Sequence, residues 1–152
     1  MKYIECPQVY NGNRKSLFIA GGITGCSNWQ NNLVSLLKNE NIVILNPRRK
    51  HFPTDNQNID EEQIAWEYEH LKKASAVSFW FTEETLCPIT LYELGKQSAL
   101  NKPIFIGVHP NYQRKRDLEI QTRIIRPEIK IVYALEDLAG QIKEWSKNET
   151  KN

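Results

Sequence analysis

Four short, continuous runs of apolar residues restrict the fold of this chain more than any other feature. They lie at 16–21, 42–45, 76–81 and 103–108. None of them alternates between apolar and polar residues, so each predicts a strand buried on both faces, as in parallel sheets covered by helices. A weaker run at 129–133 brings the prediction to five strands.

Helical patterns separate these runs. Residues 27–30 match a capping box and open a helix in which apolar residues recur three and four apart. Further helices are predicted from Asp60, over about 90–100, around 117–124 and over 135–145. The alternation predicts an α/β fold, a flavodoxin/Rossmann-like three-layer sandwich with a five-stranded parallel sheet in the order 2-1-3-4-5.

Composition predicts one globular domain over residues 1–152, with a flexible polar tail at about 147–152. A net charge of +2 without a long basic run argues against nucleic-acid binding. No apolar stretch is long enough to span a membrane, and the first residues lack the apolar core of a signal peptide. Three cysteines without CxxC spacing and three scattered histidines predict reduced thiols, no metal site and a cytoplasmic location.

The sequence Gly-Gly-Ile-Thr-Gly at 21–25, the glycine loop, follows the first predicted strand. In this strand order the ligand crevice lies beyond strands 1 and 3, so we expect the glycine loop to meet the loop at 82–90 there. Glycines let a ligand approach the backbone, and N–H groups at a helix start favour an anionic or polar group. The loop matches neither GxGxxG nor a Walker motif, and a plain strand-to-helix turn is the alternative. The predicted ligand contacts are Gly21, Gly22, Ile23 and Thr24.

Two glutamates are candidates for chemistry. Glu67 lies close to a predicted inward face of Ile64, Tyr68 and Leu71, where a carboxylate is costly unless used and often has a raised pKa. The alternative is a position at the edge of that face, where the aliphatic part of the Glu67 side chain packs against the protein and its carboxylate reaches water. Glu93 lies in the predicted first turn of the helix after the third strand, where the helix dipole favours an ionised carboxylate; such placement also simply stabilises helices.

Three segments, FIAGGITG at 18–25, WEYEHLKKASAVSFWF at 66–81 and ETLCPITLYELG at 84–95, resemble the nucleoside 2-deoxyribosyltransferase-like proteins. The resemblance runs over about 18–108. It implies that Glu93, the glutamate before Leu-Gly, attacks the anomeric carbon and forms a glycosyl-enzyme intermediate. It also implies that Glu67, eight residues ahead of Ser75, is the general acid for the departing base, and that the protein forms homo-oligomers.

The chain departs from the family pattern at three positions. Phe18 stands where many members have a tyrosine, and Ser75 where an aspartate opens the third strand. Cys87 stands where typical transferases have a second aspartate, and Glu84 in the same loop is the candidate to replace it. The sugar, ribose or 2-deoxyribose, therefore stays open.

Displacing a base from C1′ requires two carboxyl groups of different character, one toward the sugar and one giving a proton to the base. Trp29 and Tyr92 are predicted to stack on the base, although each also fits a core position. Asn46 and Arg48 are predicted to reach a phosphate or a base edge, although both also fit an ordinary strand-end loop.

The predicted protein is thus a cofactor-free enzyme that cleaves the N-glycosidic bond of a (deoxy)nucleoside or nucleotide and transfers the sugar to another base. Three alternatives stay open. They are a nucleoside 5′-monophosphate N-glycosidase, a non-catalytic nucleotide-binding sensor on the same fold and, less favoured, an FMN protein.

Overall fold

The computed structural model describes residues 1–51 and 58–148, and this part forms one parallel sheet with helices on both faces. The strands are β1 (Lys2–Glu5), β2 (Ser16–Gly21), β3 (Val43–Asn46), β4 (Ala76–Phe81) and β5 (Ile104–Val108). The helices are α1 (Trp29–Leu36), α2 (Ile59–Lys73), α3 (Pro88–Ser98), α4 (Lys115–Ile125) and α5 (Leu135–Lys147). The strand order is β1-β3-β2-β4-β5, and every neighbouring pair is parallel. The predicted α/β class is confirmed.

Two apolar cores lie on opposite faces of the sheet. Along β2, Phe18 and Ala20 belong to the core that also holds Trp66 of α2, whereas Leu17 and Ile19 belong to the core beneath α1 and α5. Successive strand residues point to opposite faces, so a strand in the middle of three layers must be apolar throughout. This requirement explains the continuous apolar runs in the sequence.

The predicted strand at 129–133 is wrong. Only Val132 pairs there, in an isolated parallel bridge to Gly107, and the N–H of Ile129 is used in a turn with the carbonyl of Arg126. The other four predicted strands are confirmed as β2 to β5, in the relative order predicted. The fifth strand of the sheet is instead β1, which pairs with β3 at the opposite edge. It lacks an apolar run because, of its four residues, Ile4 alone is buried.

Helix α2 buries a different face from the one predicted. Ile64 and Tyr68 are 65% and 49% exposed, and the buried side chains in the middle of the helix are Trp66 and His70, whose rings stack at 3.9 Å. Burial is possible because their polar atoms find partners: the Trp66 indole N–H donates to the Gln8 carbonyl, and His70 Nε2 accepts the backbone N–H of Tyr10. Leu71 is buried as predicted.

Two predicted boundaries change. Helix α3 begins at Pro88 rather than near residue 90, so Glu93 lies in its second turn and not its first. Helix α5 extends to Lys147, the first residue of the predicted tail, and residues 149–152 of that tail lie outside the described residues. The polar stretch at 48–58 also predicts a long loop, and its residues 52–57 likewise lie outside the described residues. Within the described residues, no helix combines the length and apolar character needed to cross a membrane.

Candidate active site

A cavity of about 830 Å³ opens at the carboxyl ends of β2, β3 and β4. Its walls come from the glycine loop, from the start of the loop after β3, from α2, and from the loop after β4 with the first turns of α3. The predicted meeting of the glycine loop with the loop at 82–90 is therefore observed. The lining residues are Ala20, Gly21, Gly22, Ile23, Thr24, Pro47, Arg48, Arg49, Asp60, Gln63, Ile64, Glu67, Thr85, Cys87, Pro88, Ile89, Thr90 and Glu93.

Glu67 and Glu93 line this cavity from neighbouring helices, α2 and α3. Burial raises the pKa of Glu93 to about 8; the negative charge of Glu67 adds to the rise, and Lys96 opposes it. Burial also raises the pKa of Glu67, against the opposing effects of a hydrogen bond from Gln63 and the charge of Arg49. The two carboxyl groups thus influence each other's ionisation, because the charge of one disfavours the charge of the other.

The expectation that Glu93 is ionised at rest is wrong. Beyond the first helical turn the dipole gives little stabilisation, and burial beside a second carboxylate favours the protonated form. The predicted rise in the pKa of Glu67 is confirmed. The inward face from which it was predicted is not observed, because Ile64 and Tyr68 are exposed. Gln63 Nε2 donates to Glu67 Oε1 at 2.8 Å, whereas Glu93 receives no hydrogen bond from the described residues.

Gly21 and Gly22 of the glycine loop stand where no side chain would fit. A Cβ at Gly21 would lie 2.3 Å from the Trp29 ring, and one at Gly22 would lie 2.6 Å from Cys26 Sγ. The Gly22 carbonyl accepts from Trp29 Nε1 at 2.9 Å and from Gln30 Nε2 at 3.1 Å. Trp29 is thus buried behind the loop as part of its support. The structure does not bear out Trp29 as a stacking surface for the base.

Tyr92 and Asn46 also lie outside the cavity wall. Tyr92 is 73% exposed on α3. Asn46 is buried at the end of β3, where its amide nitrogen donates to the Tyr3 hydroxyl and its amide oxygen accepts the backbone N–H of Arg48. It borders a separate cavity of about 360 Å³ toward β1. Their predicted roles in contacting the base are therefore not supported within this subunit.

Arg48 lines the cavity as predicted, but its guanidinium also holds the segment after the glycine loop. It donates to the carbonyls of Cys26 and Ser27 at 3.1 and 2.9 Å and to Gln30 Oε1 at 2.9 Å. Glu84 holds the same segment from the other side. Its carboxylate accepts the Ser27 hydroxyl at 2.8 Å and the Ser27 N–H at 3.2 Å, which lowers the pKa of Glu84 to about 2. Glu84 is committed to this contact and does not line the cavity.

Cys87 occupies the N-cap of α3 with left-handed backbone angles, φ 49° and ψ 55°. It is buried, and its thiol lies beside Gly22 and Thr85. Burial raises its pKa, so the thiol is neutral near pH 7. Where the resemblance implies an aspartate, this chain therefore has a neutral thiol. Within residues 1–51 and 58–148, no cluster of His, Cys, Asp or Glu side chains could hold a metal ion.

Three polar residues of the cavity wall, Asp60, Gln63 and Thr85, were not predicted as site residues, whereas Arg49 lies just beyond the second predicted strand, where the sequence predicts a phosphate contact beside Arg48. Gln63 was within reach, because it lies one helical turn before Glu67 and residues four apart on a helix are neighbours. Asp60 begins the predicted helix that carries Glu67, and Thr85 lies in the loop at 82–90 that was predicted to meet the glycine loop. The position of these segments could therefore be predicted, but not the direction of the two side chains.

The parallel α/β sheet has a cleft, lined by two carboxyl groups, at the point where its strand order reverses. Sheets of this kind bind small ligands at the carboxyl ends of their strands, and this defines the class of protein. The family model described as nucleoside 2-deoxyribosyltransferase like matches residues 14–112, and the chain belongs to this family. A comparison with curated proteins finds no match. The matched range includes both glutamates and β2 to β5, and membership supports an enzyme that binds nucleoside substrates.

Proposed function

We propose that this protein cleaves the N-glycosidic bond of a (deoxy)nucleoside or nucleotide, with Glu93 as nucleophile and Glu67 as general acid, and transfers the sugar to another base. One observation carries the proposal. Two electrostatically coupled glutamates line the same cavity, at the switch point of a family-matched sheet. Active sites are where such perturbed pairs of titratable groups concentrate.

The chemistry follows retaining-glycosidase logic applied to a C–N bond. A carboxylate oxygen of Glu93 attacks C1′ as the C1′–N bond breaks, and Glu67 gives its proton to the departing base nitrogen. An acceptor base then attacks C1′, Glu67 takes the proton from that base, and the ester to Glu93 breaks. Because burial raises the pKa of Glu93 to about 8, Glu93 must lose its proton before it attacks.

Hydrolysis of a nucleoside 5′-monophosphate is the second candidate, with water as acceptor. Arg48 and Arg49 both line the cavity and could pair with a phosphate dianion. The three hydrogen bonds of Arg48 to the segment 26–30 weaken this reading, because they commit donors that a phosphate would need.

The oligomeric state is part of the proposal. Ile64 and Tyr68 of α2 and Ile89 and Tyr92 of α3 are exposed, and Ile64 and Ile89 also line the cavity. Exposed apolar patches of this kind mark protein contacts. A second copy packed on this face would shield the mouth of the cleft from water, so we infer a homo-oligomer.

The proposal also includes a single domain over residues 1–152 and a cytoplasmic location. The three cysteines, Cys6, Cys26 and Cys87, are free thiols, as a reducing compartment would keep them.

The proposal is tested by incubating the protein with a panel of ribo- and deoxynucleosides and their 5′-monophosphates, each with and without a free acceptor base. Released and newly formed nucleosides are separated by chromatography. Transfer predicts turnover that requires the acceptor base, whereas the hydrolase predicts base release from monophosphates without it. Tight binding of a nucleotide with no turnover of any substrate would overturn both and favour a nucleotide-binding sensor.

A further inference from the structure

Gln63 lies one helical turn before Glu67, and its amide makes four hydrogen bonds. Nε2 donates to Glu67 Oε1 at 2.8 Å and to the Pro47 carbonyl at 2.9 Å. Oε1 accepts from Arg49 Nε at 2.7 Å and from the Cys6 thiol at 3.1 Å. This one side chain therefore ties Glu67 to the residues that follow β1 and β3.

These partners fix the direction of the amide. The Pro47 carbonyl can only accept and the Arg49 guanidinium can only donate. Burial raises the pKa of the Cys6 thiol to about 11, so the thiol keeps its proton and also donates. Turning the amide over would set its oxygen against acceptors and its nitrogen against donors. The N–H directed at Glu67 is thus determined by its surroundings.

We propose that Gln63 is the positioning residue of the general acid, holding Glu67 so that only Oε2 meets the departing base. The inference rests on the proposed function. Because Oε1 is occupied by the Gln63 N–H, a proton carried by Glu67 lies on Oε2. A donor at Oε1 also stabilises the carboxylate left after proton transfer, which makes Glu67 a stronger acid than burial alone would allow.

The charges around the pair come from several elements. Glu93 faces Glu67 from α3, Arg49 approaches from the residues after β3, and the thiol of Cys6, which lies after β1, is neutral. Lys96 acts on Glu93. Arg49 is also anchored by Glu62, with Nη2 3.4 Å from Oε1. Removing the Gln63 amide therefore leaves these charges in place and isolates the effect of its hydrogen bonds.

The test compares Gln63→Met with Gln141→Met. Gln141 is a matched control, because it is also half-buried and its Nε2 also donates to a backbone carbonyl, that of Lys130, at 2.9 Å. For substrates with an unactivated base, we expect Gln63→Met to lower kcat about 10- to 100-fold, the range for losing a hydrogen bond to a charged group. For 7-methylguanosine, whose cationic base needs no proton, kcat should stay within about twofold. The high-pH limb of the rate profile of Gln63→Met should shift to higher pH by about one unit, because Glu67 keeps its proton to a higher pH.

Equal losses with both kinds of substrate and an unmoved high-pH limb would overturn the inference. A second variant, Gln63→Leu, is also uncharged and also loses the donor to Glu67, so it should shift the limb in the same direction. It serves as the test if Gln63→Met fails to fold, as judged by thermal melting.

A measurement independent of turnover separates this inference from the proposed function. The side-chain carboxyl carbon of Glu67 is titrated by carbon-13 NMR and assigned with Glu67→Gln. Its midpoint should rise in Gln63→Met and stay unchanged in Gln141→Met. An unchanged midpoint in Gln63→Met would overturn the positioning role even in an active enzyme. A raised midpoint in a protein that turns over no nucleoside would leave the hydrogen bond established and the proposed function refuted.

Discussion

The Glu84 carboxylate accepts both the hydroxyl and the backbone N–H of Ser27, and so joins the loop after β4 to the segment that opens α1. These hydrogen bonds lower the pKa of Glu84 to about 2. A depressed carboxyl pKa stabilises the fold fully above the unfolded value, about 4.3, and the stabilisation is lost as pH falls toward about 2.

Replacing Glu84 with Gln should therefore lower the melting temperature near neutral pH, and the difference from the wild type should shrink between about pH 5 and pH 2. Circular dichroism melts over this range measure it. Glu83→Gln, a change of the same charge in the neighbouring residue, is the control. A difference that stays constant down to pH 2 would show that the ionised carboxylate contributes nothing through Ser27.

Glu93→Gln keeps the size of the side chain but removes the attacking oxyanion. We expect turnover to fall on the order of a thousandfold or more with little change in substrate binding. A slow substrate fluorinated at C2′ should leave a sugar adduct on Glu93, detected as a mass shift of its peptide. Activity near that of the wild type in Glu93→Gln would remove Glu93 as the nucleophile.

The same substitution predicts a change in pH-dependent stability. The folded pKa of Glu93 is raised to about 8, so its contribution is fully present below the unfolded value of about 4.3 and is lost as pH rises through about 8. Glu93→Gln cannot ionise and escapes this loss. Its stability relative to the wild type should thus increase between about pH 5 and pH 8.5, measured by urea unfolding. If the difference in unfolding free energy between the variant and the wild type did not change over that range, the pKa of Glu93 would not be raised in the folded protein.

Glu67→Gln should remove the proton donor and slow substrates with an unactivated base about 10²- to 10⁴-fold, while sparing 7-methylguanosine. The high-pH limb of the rate profile should disappear for the remaining activity. Initial rates from pH 5 to pH 10 check both effects. The same loss for both kinds of substrate would assign Glu67 to binding or packing instead.

Assembly through the faces of α2 and α3 predicts that Ile89→Asp dissociates the oligomer. Ile124→Asp on α4 is a matched control, because both isoleucines are exposed, at 65% and 73%, and only Ile89 borders the cavity. Light scattering during size-exclusion chromatography reports the mass of each variant. Dissociation by Ile124→Asp and not by Ile89→Asp would move the contact to α4.

The central strands could be predicted from the sequence because both faces of β2 to β5 are covered, which demands continuous apolar runs. Strand β1 could not, because it is an edge strand in which Ile4 alone is buried. The buried face of α2 was misjudged for a related reason. Trp66 and His70 can be buried only because Gln8 and Tyr10, about sixty residues earlier, satisfy their polar atoms, and a local pattern contains no trace of such partners.

The residues of the candidate site could also be predicted only in part. Glu67 and Glu93 were candidates from their positions on predicted helices, the resemblance gave them their predicted roles, and the structure brings both to one cavity. Arg48 was predicted from its position after a strand, which indicates where a backbone goes and not where a long side chain turns. Its guanidinium reaches back to the carbonyls of 26–27, a contact set by the packing of two loops.

The contact of the Cys6 thiol with Gln63 affects how the site could be transferred into another protein. Cys6 lies outside the family-matched residues 14–112, yet it bonds the side chain that holds Glu67. A chimera that carried only the matched segment into another framework would import both glutamates without this anchor. Such a chimera would have to carry β1 and Cys6 along with the two glutamates to keep all four hydrogen bonds of Gln63.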